Sequence, residues 1–157
     1  KEIDVGLADK QVFLPAVDCV MLMWADVLKK HGVLNGVFFT MHEMTGWCLR
    51  VSKKGYKILY VPRAKVWHKV STSLNMTPNK KEIITYYDVR NWLLCNRYNE
   101  NISYFMWILL LQSTVFFAIR STKFIKEKQP ELMKTYLTAI WHALIKKTPI
   151  MLYPYKK

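Results

Sequence analysis

Glu43, Trp47, Arg50, His68 and Lys69 fall on one short stretch of the chain and carry most of its chemical potential. Glu43 precedes an apolar-periodic run, where a carboxylate is favoured by the start of a helix and can also meet a substrate. Trp47 offers a flat ring that either joins a core or stacks on a ring-shaped ligand. Arg50 suits a carboxylate or a helix end. The imidazole of His68 is a fit ligand for manganese or zinc, and otherwise a hydrogen-bonded strand-end group. Lys69 beside it can contact phosphate or simply face water.

The elements that must position these groups are legible in outline. Met44, Trp47, Cys48 and Val51 recur at i, i+3, i+4 and i+7, one stripe of a helix, with Lys53 and Lys54 in its last turn and Gly55 as its left-handed stop. Tyr56 to Val61 reads as a strand halted by Pro62, and Ala64 to His68 as another strand. Upstream, residues 1–16 read as a loop, Val17 to Met23 as a buried strand, and Ala25 to His31 as a short helix stopped by Gly32. Downstream, Asn79 and Glu82 have capping-box spacing and open a helix of about five turns toward Asn99. Ile102 to Ile119 contains no charge. Pro130 opens a last helix whose Leu132, Met133, Tyr136, Leu137, Ile140, Trp141, Leu144 and Ile145 form one wide apolar face, ended by Pro149. Strand, helix, strand, strand and then helices predict an α/β portion over 1–78 followed by a helical tail over 79–157.

The 157 residues suffice for one domain with a core. Lys1 opens the chain without a methionine or an apolar leader, which predicts either a portion of a longer protein or a front end removed by processing. Cys19, Cys48 and Cys95 are odd in number and widely spaced, so reduced thiols of a cytosolic protein are expected. Residues 1–50 hold five Lys/Arg against six Asp/Glu, whereas residues 51–157 hold nineteen against five. A basic half beside a long apolar run calls for an anionic partner. No nucleic-acid-binding motif accompanies the lysines, so no nucleic acid is expected. Ile102 to Ile119 just reaches spanning length, with Gln112, Ser113 and Thr114 midway and Arg120, Lys123, Lys126 and Lys128 after it. That pattern, with Tyr104, Trp107 and Trp141, predicts a segment lying in a membrane interface; packing on the body or on another copy of the chain (a homo-oligomer) is the alternative.

Phe38-Phe39-Thr40-Met41-His42-Glu43-Met44-Thr45-Gly46-Trp47-Cys48-Leu49-Arg50, Gly55-Tyr56-Lys57-Ile58-Leu59-Tyr60-Val61-Pro62 and Val66-Trp67-His68 resemble the acceptor side of inverting family 2 glycosyltransferases, in the rhamnosyltransferase-like branch. The resemblance runs from about Glu2 to Tyr98 and implies the C-terminal half of a GT-A (nucleotide-diphospho-sugar transferase) domain. It implies transfer of a sugar from a nucleotide-sugar donor to a glycan or lipid-linked acceptor in cell-envelope polysaccharide synthesis, with a divalent cation (Mg or Mn) in the intact enzyme. Glu43 would be catalytic, Trp47, Arg50 and Arg90 acceptor-binding, Lys69 cofactor-binding and His68 a metal ligand; Arg90 lies in Tyr86-Tyr87-Asp88-Val89-Arg90-Asn91, which matches the family's Y-Y-x-x-R-N. The expected location is cytoplasmic, peripheral at the inner face of the cell membrane. Where the family has two further aspartates, this chain has Met44 and Gly46, and no Asp-x-Asp occurs. A thioether cannot take up a proton, so the chain by itself is expected to be inactive. The alternative is a non-catalytic membrane-surface or interaction module derived from such an enzyme.

Overall fold

The computed structural model describes residues 9–68 and 77–145. Strand β1 (Val12–Leu14) pairs antiparallel with β2 (Ile58–Tyr60), in the register Val12 to Tyr60, Phe13 to Leu59 and Leu14 to Ile58. Helix α1 (Ala25–His31) and a 3-10 turn (Gly36–Phe38) lead to α2 (Glu43–Ser52). After β2 come α3 (Lys80–Asn99), α4 (Ile102–Lys126) and α5 (Glu131–Leu144).

Helix α3 is the centre of the molecule. It packs on α2, α4 and most extensively on α5. Ile83, Tyr86, Tyr87, Val89, Leu93 and Leu94 are all buried, so apolar residues point from it in several directions, as an enclosed helix requires. Phe38 joins this cluster, so one core runs across the boundary expected near residue 78. A smaller cluster forms where Trp47, Cys48 and Val51 of α2 meet Val17, Met21, Met23 and Val27.

Four local expectations differ from what is seen. Residues 17–23 form no strand: Met21 and Met23 pack on α2, but no neighbouring strand takes up the backbone groups. Residues 64–68 are exposed and likewise outside any ladder. Strand β1 lies in the segment expected to be loop, because a three-residue strand is made by its partner and not by its own pattern. Helix α3 begins where the Asn79–Glu82 spacing puts it, yet Asn79 makes no side-chain cap bond; at φ −104°, ψ 36° it lies outside the extended region that capping uses. The described residues thus contain one two-stranded sheet and are otherwise mainly helical. The segment 69–76 and Pro149 lie outside the described residues.

Helix α4 contains a π-helical stretch, Gln112–Phe116. Phe105, Gln112 and Phe124 are its buried residues. At 100° per residue a regular α-helix would turn Phe124 well away from Phe105 and Gln112. The extra residue of a π turn brings it back. Side chains satisfy the loosened backbone: Ser113 and Thr114 hydroxyls donate to the Leu109 and Leu110 carbonyls, and the Tyr136 hydroxyl on α5 reaches the Gln112 carbonyl (2.9 Å) and its side-chain oxygen (2.6 Å). Gln112, Ser113 and Thr114, read as the break in the apolar run, are therefore a joint that keeps one face of α4 on the body.

Candidate functional site

The segment before α2 is bent into a conformation that side chains resist. Asn35 Oδ1 accepts from the Val37 amide and starts the 3-10 turn. Phe39, Met41 and His42 then all adopt φ of 62°, the left-handed region that non-glycine residues occupy at a cost of about 1–2 kcal/mol each.

Arg90 and Asn91 of α3 hold this bend. Both are fully buried. Arg90 donates to the Val37 carbonyl (3.0 Å) and to Asn91 Oδ1 (2.7 Å). Occupying that oxygen aims the Asn91 amide nitrogen at the bend, where it meets the carbonyls of Phe38, Thr40 and Met41. The Phe39 ring lies against Tyr87, at 5.5 Å between centroids.

His42, at the head of α2, hydrogen-bonds Asp88 through Nε2 at 3.1 Å, and Asp88's other oxygen accepts from Arg120 of α4 at 3.0 Å. The His42 bond, assisted by Arg120, holds the Asp88 carboxyl below the ordinary carboxylate range, against a burial that works the other way. One half-buried carboxylate therefore joins the bend, the central helix and the apolar helix. Glu43 follows directly. Its Oε2 is buried and makes no hydrogen bond, an arrangement that costs free energy unless another group arrives to use it.

The residues singled out in the sequence divide into two sets. Trp47 is buried, and its indole N–H donates to the Gly32 carbonyl at 2.8 Å. Arg50 donates to the Gly32 and Val33 carbonyls at 3.2 and 2.7 Å, just past the end of α1. A cavity of about 50 Å³ lies between Asn35, Trp47, Arg50 and Tyr98. That is room for water and not for a sugar ring. Arg90 serves the bend, as described. Glu43, Trp47 and Arg50 all lie on α2, but only Trp47 and Arg50 line the cavity; Glu43 and Arg90 do not. His68 is exposed beyond β2 and lines no part of that cavity. Lys69 lies outside the described residues.

No group of three His, Cys, Asp or Glu side chains converges among the described residues. One exposed imidazole is too little to hold a divalent cation, which binds through several oxygen or nitrogen ligands, so the described residues do not fit one. His42 and Asp88 were given no role by the sequence, Asn91 only its place in the family motif, and Arg120 only its place in the cation run after the apolar segment. The signal that could have found two of them is Asp88 and Asn91, beside Arg90, among the apolar and aromatic residues in the middle of α3, since buried polar groups must have partners.

Compared with protein-family models, curated proteins and solved structures, the chain matches none.

Proposed function

We propose that this chain is the acceptor-side part of an inverting glycosyltransferase of GT-A type, which moves a sugar from a nucleotide-sugar donor to a hydroxyl of a glycan or lipid-linked acceptor at the cytoplasmic face of a membrane. The observation that carries the proposal is the clamped bend at 39–42, which delivers Glu43 with a buried carboxylate oxygen lacking any partner. Strain of this kind, held by surrounding structure, is typical of sites that must be ready before a ligand arrives. The motif order from Phe38 to His68 supports the same reading.

In this scheme the acceptor oxygen forms the new bond to the anomeric carbon while the bond to the diphosphate breaks on the opposite face. The acceptor's proton passes to the Glu43 carboxylate. The bend fixes the carboxylate's position, and its buried oxygen has no competing hydrogen bond. The cation used in such transfers would need ligands beyond the described residues.

A second reading, a non-catalytic module of the same ancestry, is favoured by Gly46. A Cβ there would stand 3.3 Å from two carbons of the Phe38 ring and 3.7 Å from Cys95 Sγ. The place where the resembled family carries an acid is therefore closed by a core ring.

The test uses full-length protein in its native membranes, offered a panel of nucleotide-sugars, with nucleoside diphosphate release as the readout. Donor-dependent release that falls by about a hundredfold or more in Glu43→Gln is expected, the range general-base loss produces. Release that is the same in both proteins removes Glu43 from the chemistry, and no release from any donor selects the non-catalytic reading.

A further inference from the structure

Helix α4 is fastened along its whole length and yet keeps a broad apolar face outside. Its first part packs on α3, while its π stretch and last part pack on α5. On the other side Tyr104, Trp107, Leu110, Val115, Phe116 and Ile119 are each 44–60% exposed. No charged residue interrupts Asn101 to Ile119. Leu137 and Trp141 of α5, and Ile145 just past its end, are also exposed, at four-residue spacing. Patches of this extent on a protein mark a partner or a membrane.

We infer that the outer face of α4 docks in the plane of a bilayer interface containing anionic lipid, without crossing it. Two observations choose this occupant. The first is the cation run that ends the helix: Lys123, Lys126 and Lys128 are exposed immediately after the apolar face, and the chain carries a net charge of +13. Those charges are drawn to anionic headgroups and set two copies of the chain against each other. The second is the inner stripe. With Phe105, Gln112 and Phe124 held by the body and Arg120 held by Asp88, a crossing helix would have to carry α3 and α5 into hydrocarbon. Asp88, Arg97 and Glu100 would go with them, at a prohibitive cost in desolvation. An in-plane helix needs only its apolar face immersed, with tyrosine and tryptophan at headgroup depth. The inference stands apart from the sugar-transfer reading, since it requires neither a donor nor Glu43.

The test is cosedimentation of the purified chain with sealed vesicles of phosphatidylcholine alone or with about a third phosphatidylglycerol. Binding to the anionic vesicles should exceed binding to neutral ones and weaken as salt is raised. The double variant Trp107→Glu, Leu110→Glu should bind at least about tenfold more weakly, because each side chain forfeits apolar burial. Both positions are exposed, so the variant's helix content should remain that of the parent. Orientation is read in a Cys19→Ser background with Ser103→Cys or Lys128→Cys and a membrane-impermeant maleimide. Both sites labelled from outside is the expected result. One site protected until detergent is added means the helix crosses, and overturns the inference. Equal binding by the parent and the double variant, or an apolar face buried in a soluble dimer with no vesicle binding, also overturns it.

Discussion

Asn91 is the residue on which the bend before α2 depends. Its amide nitrogen meets three main-chain carbonyls from Phe38, Thr40 and Met41, while Arg90 occupies its oxygen. Asn91→Ala leaves those buried carbonyls without their donor and releases three left-handed residues toward ordinary conformations. A loss of about 3 kcal/mol in urea unfolding is expected, from an unsatisfied buried group multiplied over a short segment; a loss under about 0.5 kcal/mol would mean the bend holds itself. The role of Asn91 was hidden in the sequence because its partners lie about fifty positions earlier. Glu43 was easier to single out, since a carboxylate opening an apolar stripe is a local pattern. Its orphaned oxygen was not, because burial is decided by what packs over it.

Among the elements, those with their own punctuation were the legible ones. Gly55, at φ +88°, ends the α2 region, and Pro62 follows β2. The expectation of one wide apolar face on α5 was partly met: Leu132, Tyr136 and Ile140 are buried, but Leu137, Trp141 and Ile145 point outward. Hydrophobic periodicity identifies a face without saying which part of it is covered. The π stretch of α4 left a trace that could have been read, since the steps from Phe105 to Gln112 and from Phe117 to Phe124 are seven residues, separated by a step of five. Such a step fits a widened turn and not an α turn. It leads to an unusual expectation. Deleting Ser113 should convert the stretch to regular α-helix while leaving Arg120 and Phe124 aimed at the body, at a stability change within about 1 kcal/mol. Inserting an alanine after Ile108, which turns everything beyond it by about 100°, should cost several times more. Thermal melts of the two variants separate these outcomes, and a deletion as damaging as the insertion would discount the joint.

At the scale of the whole molecule, the apolar core is joined by one electrostatic tie between the bend and α4. Asp88 has its pKa lowered in the folded chain, chiefly by His42 and then by Arg120. A depressed carboxyl contributes stability that is complete above its unfolded value, about 4, and drains away as the pH falls from there through the lowered folded value. The part of the unfolding free-energy difference between the parent and Asp88→Asn that Asp88's ionisation supplies should therefore shrink toward zero as the pH falls from about 4 into strong acid; a difference that does not change over that range would place the bridge outside the stability of the fold. Alkaline loss falls on the buried Cys95 thiol and Tyr136 hydroxyl, which burial pushes up to about 11 and about 12.

The bridge has a spatial corollary as well. His42 and Arg120 grasp the same carboxylate, so the bend that presents Glu43 sits within two side chains of the helix assigned to the lipid surface. If α4 docks as inferred, an acceptor embedded in that surface would reach the neighbourhood of the bend by sliding sideways through the leaflet. Encounters would then be set by crowding in two dimensions, and dilution of the surrounding fluid would leave their frequency unchanged.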